Sequence, residues 1–166
     1  MPCKQLPVGS IPTSSTKNKK NKMLNSKSLD DLIPHVAELA RQLIEIAEET
    51  LEIDELRITS TYRDYEYQDY LYAQGRTRPG KRVTSARAGQ SWHNFQVAFD
   101  VVPIIGGQAL WDNVQPENRE MWEAIGAIGR DLGLEWGGDW QMVDMPHFQE
   151  TGGLSMAQLR AQKGAK

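Results

Sequence analysis

The chain has one cysteine, Cys3, among 166 residues. No intrachain disulfide can form, and a zinc site built on several thiolates is excluded. Long apolar runs are missing too. None approaches the roughly 20 residues that a membrane-spanning helix needs, so stable membrane insertion is not expected. Residues 1–27 lack the roughly 7–15-residue apolar centre of a secretory signal. Acids are absent before Asp30, whereas Lys4, Lys17, Lys19, Lys20, Lys22 and Lys27 precede it, a leader charge of +6. The remainder has 13 basic against 22 acidic residues. A basic tail can attract anionic polymers, yet an acidic body with no basic face of its own argues against nucleic-acid binding as the main activity.

What is present reads as a folded protein: 39% hydrophobic and 25% charged residues. A chain of this length has room for one domain with a proper core, and scarcely for two. Residues 1–27, rich in Pro, Ser, Thr, Asn and Lys, cannot bury enough surface to offset chain entropy and read as a disordered leader. The domain is expected over 28–166. Ser28 can cap a helix, with Asp31 as capping-box partner. Val36, Leu39, Ala40, Leu43, Ile46 and Ala47 then recur at helical spacing. A short strand is expected over 56–61 and a second helix over 65–74, capped by Asp64. A long Gly-, Arg- and Thr-rich loop spans 75–90, and loops of that length are usually functional or mobile. A buried strand over 97–102, a Gly106–Gly107 turn and a third helix over 116–132 follow. Short strands at 134–136 and 146–149 and a terminal helix over 155–163 complete the chain. Mixed strands and helices without a βαβ rhythm indicate an α+β fold.

Candidate chemistry centres on three histidines, His35, His93 and His147. His35 lies among acids on the first helix and reads as a surface residue. His93 follows a loop, and seven residues on Asp100 interrupts an apolar strand. A buried carboxylate costs several kcal/mol, on the order of the ion-burial penalty, unless it is paired or bound to a cation. A divalent metal and an arginine are both candidate partners. His147 opens a short strand behind Pro146, which favours an extended Met145. Two histidines and one aspartate, with a fourth position left to water, form the pattern of catalytic zinc. Asp144 could hold that water and take its proton. The His-Glu-x-x-His motif is absent. Asp139 reads as a turn-forming side chain, and Trp136 and Trp140 as packing around the site.

Ser91-x-His93 leading to Ala98-x-Asp100, then Trp136-Gly137-Gly138-Asp139-Trp140 and Asp144-x-Pro146-His147-Phe148, resembles the phage L-alanyl-D-glutamate endopeptidases. These zinc peptidases are grouped with the D-alanyl-D-alanine carboxypeptidases and share the hedgehog/DD-peptidase fold. The segment from Ile58 to Arg63, with Gln68, Leu71-Tyr72, Gln74 to Thr77 and Pro79-Gly80, matches the same group.

The resemblance implies that His93, Asp100 and His147 bind Zn2+ and that Asp144 is the catalytic carboxylate. Arg63 matches the arginine that faces the substrate carbonyl or a stem-peptide carboxylate. Gln68 and Ser91 match further substrate-binding positions. The implied substrate is the peptidoglycan stem peptide, cut by a monomer without nucleic acid. A D-alanyl-D-alanine carboxypeptidase would use the same metal triad, and a non-catalytic wall-binding module would be expected to lack Asp144. The implied setting is synthesis in a host cytoplasm without a signal peptide, with release to the wall through a separate membrane-pore protein. Arg76, Arg78, Lys81, Arg82 and Arg87 in the long loop could add carboxylate contacts, and a solvated basic loop accounts for them equally well. One departure stands out: relatives usually have glycine where this chain has Gln96. Its side chain crowds the turn, or requires a different backbone angle if that glycine's φ is positive.

Overall fold

The chain is seen in a computed structural model that describes residues 22–164. The expected character of residues 1–21 lies outside the described part. Helix α1 (Pro34–Thr50) starts at a proline, whose fixed φ suits a first turn. It buries Val36, Ala37, Leu39, Ala40, Leu43 and Ala47 along one stripe. Ser28 caps only a 3-10 turn (Leu29–Asp31), accepting from the Asp30 N–H. Asp31 does not complete a capping box; its carboxylate accepts from the Ser26 hydroxyl. Helix α3 (Pro116–Asp131) buries Trp122 and Ile125. Both helices join one apolar core with the sheet residues Leu56, Phe99, Val101, Val102, Ile104 and Phe148.

The strands are β1 (Glu55–Ser60), β2 (Ala98–Ile105), β3 (Gln108–Ala109), β4 (Glu135–Trp136) and β5 (His147–Gln149). They form one antiparallel sheet in the order β1-β2-β5-β4, with the short β3 paired to the end of β2. Helix α2 (Tyr65–Ala73) begins at Asp64, whose carboxylate accepts from the Tyr67 N–H. Helix α4 (Met156–Gly164) packs Leu159 against Phe95 and Val97 in a second, smaller cluster. The α+β reading with a small antiparallel sheet against helices holds.

Register does the work of bringing distant residues together. Phe99 pairs with Phe148, and their rings stack in the core with centroids 5.8 Å apart. Side chains alternate between faces along a strand, so the next pair, Asp100 with His147, emerges on the opposite face. On its other side Asp100 pairs with Ser60, after an irregularity between Ile58 and Ser60.

The folded part begins earlier than Ser28. Ser26 donates to the Tyr62 carbonyl and accepts from the Thr61 N–H; the Leu24 carbonyl accepts from the Asp64 N–H, and the Leu24 N–H donates to Asp64 Oδ2. This edge segment carries Asn25 to the mouth of the cleft described next.

Candidate active site

Three elements supply the convergent side chains. His93 sits on a 3-10 turn (Trp92–Phe95), Asp100 on β2 and His147 on β5. One candidate ligand atom from each lies within 4.8 Å of the others. His93 Nε2 is 3.1 Å and His147 Nδ1 3.2 Å from Asp100 Oδ1. Four ligands at about 2.0–2.1 Å around a tetrahedral ion would stand about 3.3 Å apart, close to both spacings.

The surrounding hydrogen bonds fix the tautomers. His93 Nδ1 lies 2.7 Å from the Thr61 carbonyl, which can only accept, so Nδ1 carries the proton. Gln149 Nε2 donates to Glu135 Oε2 at 3.1 Å, which turns Gln149 Oε1 towards His147 Nε2, 2.8 Å away. That nitrogen must therefore donate. The two remaining ring nitrogens, when the rings are neutral, present lone pairs to the same carboxylate oxygen. Three lone pairs converging in a buried place call for a proton or a cation. The donor set, two imidazoles and one carboxylate with oriented outer partners, fits a divalent metal ion.

Electrostatics agree. Burial holds the His93 imidazole below its ordinary pKa, outweighing Asp100. Burial also opposes protonation of His147, but the hydrogen bond and charge of Asp100 prevail and raise its pKa. For Asp100 burial acts upward, yet the two histidines hold the carboxyl well below its ordinary value. Of the partners foreseen for Asp100 the arginine is in place: Arg63 Nη2 donates to its Oδ2 at 2.8 Å, while Oδ1 faces the two histidines.

Asp144 stands on the cleft wall, and its carboxylate has no hydrogen-bond partner among the described residues. Partial burial, then the charge of Asp100, raises its pKa. Gly137 makes this placement possible. A Cβ there would lie 2.4 Å from the Asp144 carbonyl oxygen and 3.1 Å from the Cβ of His147.

The cleft holds about 830 Å³ and is lined by Arg63, Ser91, His93, Asp100, Asp144 and His147, together with Tyr67, Trp111 and Trp140. Arg63 is steadied by donation from Nε to Ser60 Oγ at 3.0 Å, and Ser60 in turn donates to Asn25 Oδ1 at 2.7 Å. Gln68 is placed differently. It is fully buried, does not line the cleft, and donates from Nε2 to the Ala86 carbonyl at 2.8 Å, holding the long loop. His35 lies away from the site, exposed and 3.8 Å from Glu150. Asp139 accepts from Arg130 at 2.8 Å, so its side chain joins an ion pair with helix α3.

Gln96 resolves the departure noted in the sequence. It adopts φ +63°, the one non-glycine residue with positive φ among those described. Its Nε2 donates to the Asp31 carbonyl at 2.8 Å and its own carbonyl accepts from Ile33 N–H, partners that offset the left-handed conformation.

Sequence reasoning missed Asn25, Glu135 and Gln149. Gln149 follows the metal-ligand motif at the strand period, so an inward-facing polar residue two after His147 was the available signal. Trp140 also reaches further than packing: its Nε1 donates to Glu135 Oε1 at 2.7 Å, and its ring lies 4.8 Å from the His147 ring.

Comparison with known proteins bears directly on this geometry. Residues 84–150 match the family model described as D-alanyl-D-alanine carboxypeptidase. That segment contains His93, Asp100, Asp144 and His147. The peptidoglycan L-alanyl-D-glutamate endopeptidase CwlK of Bacillus subtilis (strain 168) is 40% identical over 97 residues, 55% of this chain and 58% of that protein. The chain thus spans less than two thirds of that relative's length. Among solved structures, the L-Ala D-Glu endopeptidase ChiX of Serratia marcescens superposes with a TM-score of 0.55 at 22% identity, over 82% of this chain and 96% of ChiX. The LD-carboxypeptidase LdcB gives 0.52 at 22%, over 84% and 80%. The fold is therefore the one that ChiX and LdcB share.

Proposed function

We propose that the protein is a zinc-dependent peptidoglycan endopeptidase that hydrolyses the L-alanyl-D-glutamate bond of the stem peptide. The observation that carries this reading is the convergence of His93 Nε2, Asp100 Oδ1 and His147 Nδ1 beside the unpaired carboxylate of Asp144 in one cleft. The endopeptidase specificity is supported by the 40% identity to CwlK. His93, Asp100 and His147 would hold the ion. When bound, it supplies Lewis-acid polarisation of the scissile carbonyl and acidifies an adjacent water.

The chain's own residues supply the rest. Asp144 accepts the proton of the attacking water on a carboxylate oxygen and passes it to the departing amine. Its raised pKa favours the first half, since a more basic carboxylate takes up the water's proton more readily. Arg63, pinned through Nε and Nη2, keeps Nη1 without a partner among the described residues. From there it can bind developing charge on the carbonyl oxygen or a substrate carboxylate. Ser91 offers a hydroxyl on the same wall. Gln68 would serve binding indirectly, by fixing the loop that forms one side of the cleft. A monomeric phage lysis enzyme, released to the wall by a pore protein, is the setting we propose.

Digestion of purified peptidoglycan, followed by mass analysis with and without a chelator, tests this reading. New amino ends on D-glutamate that vanish with chelator are expected. Release of free D-alanine would instead assign a carboxypeptidase.

A further inference from the structure

Residues 70–99 contain no acid, although acids outnumber bases in the chain, and they carry Arg76, Arg78, Lys81, Arg82 and Arg87. Five of the six arginines outside this stretch pair with acids, Arg160 being the exception. Arg41 pairs with Asp30, Arg57 with Glu55, Arg63 with Asp100, Arg119 with Glu123 and Arg130 with Asp139. None of the five loop cations has a described carboxylate within 4.0 Å. Asp69 is near enough to act on Arg87, but its Oδ1 is engaged by the Ala88 N–H.

Aromatic faces take the place of acids. The Arg78 guanidinium lies 3.5 Å from the Tyr70 ring centroid, and those of Arg76 and Arg87 lie 3.9 and 4.8 Å from that of Tyr72. Stacking fixes a guanidinium without cancelling its charge and leaves edge N–H groups for a planar anion. Arg76 spends Nη1 on the Tyr72 and Thr84 carbonyls, which ties the cationic row to the cleft wall formed by Val83, Thr84, Ser85 and Ala86. Lys81 and Arg82 are exposed and have no partner among the described residues. A loop that was merely solvated would need neither the rings nor the exclusion of acids.

We infer that this outer rim docks carboxylates of the stem peptides that flank the one in the cleft, so that polymeric wall with free carboxyls is held more tightly than an isolated stem peptide. This rests on the wall-peptidase reading. A polymer seated in the cleft carries its carboxylates across the adjoining rim, which favours them over the phosphates of a separate polymer.

The test is co-sedimentation of the full-length metal-loaded protein with insoluble peptidoglycan sacculi across a salt series, with Asp144→Ala in every protein to prevent digestion. The combination Arg78→Gln, Lys81→Gln and Arg82→Gln should bind about tenfold more weakly at low salt, as three solvent-accessible contacts each contribute a factor of about two to three. The double variant Lys81→Gln and Arg82→Gln, which breaks no stacking, should fall between. A control combination, Arg41→Gln, Arg57→Gln and Arg119→Gln, removes the same net charge and should bind like the parent. The difference should vanish near about 1 M salt, where screening acts over about 3 Å. Sacculi amidated at their carboxyls should bind the parent as weakly as the loop variant, whereas sacculi stripped of phosphate polymers should bind it fully. Equal loss in both combinations, indifference to amidation, or loss on phosphate stripping alone would each overturn the inference. With Asp144 intact, the loop variant should hydrolyse a single soluble stem peptide as the unaltered protein does. Absence of hydrolysis by both would sink the peptidase reading separately, whatever the sedimentation shows.

Discussion

Replacing Asp144 by Asn separates chemistry from folding more cleanly than any other change in the cleft. Its carboxylate makes no hydrogen bond to the described residues, so no partner is orphaned and no cavity opens. Its pKa is raised by partial burial and by Asp100, which means that folding disfavours the ionised form. The group therefore binds protons more readily folded than unfolded, and its contribution to stability falls as pH rises past its unfolded pKa. Above its raised folded pKa, the charge weighs fully against the fold. Asn removes that charge, so thermal unfolding at neutral pH should shift by no more than about 0.5 kcal/mol, upward if at all. Turnover should drop about 10²–10⁴-fold, the range for losing a positioned acid–base group. Measured rates on solubilised stem peptides, with calorimetry on the same samples, check both halves. An Asn variant within tenfold of parent activity, or one markedly less stable, would refute this reasoning.

Other substitutions probe the supporting structure. Gln149→Met keeps volume but removes the acceptor of His147 Nε2–H, and competition with a chromogenic chelator should show metal affinity about 10–100-fold lower; unchanged affinity would remove Gln149 from the site. At Gln96, held at φ +63°, Gly should leave stability within about 1 kcal/mol, since relief of the left-handed conformation offsets the lost bond to Asp31. Val there should cost about 2 kcal/mol or more, as a β-branched residue resists that conformation. Equal unfolding midpoints for Gly and Val would contradict the backbone argument.

Much of this was legible in the sequence because local rules and tertiary demands agreed. The α1 stripe, the Asp64 cap, Pro116 at the start of α3 and the Gly106–Gly107 turn all carry their own signals, and the ends of α2, α3 and α4 fell within a residue or two, whereas α1 starts at Pro34 and not behind Ser28. Asp100 was readable as a group needing a partner because a charge inside an apolar strand has few alternatives. What stayed hidden depends on register and on contacts between distant segments. Nothing local says that Asn25 would reach Ser60, or that Gln149 would be clamped by Glu135. The Ser28 capping box failed because Ser26 took Asp31 first. Gln68 carried a substrate-side expectation that its burial beneath the long loop redirects to support.

The central claim is that His93, Asp100 and His147 together form one metal site and that Asp144 stands outside it. Metal content of the purified protein after equilibration with Zn2+ measures this directly. One ion per chain is predicted for the parent and for Asp144→Ala, with the ion lost from His93→Ala, Asp100→Ala and His147→Ala. Retention of the full complement by any of those three, or its loss from Asp144→Ala alone, would contradict the account.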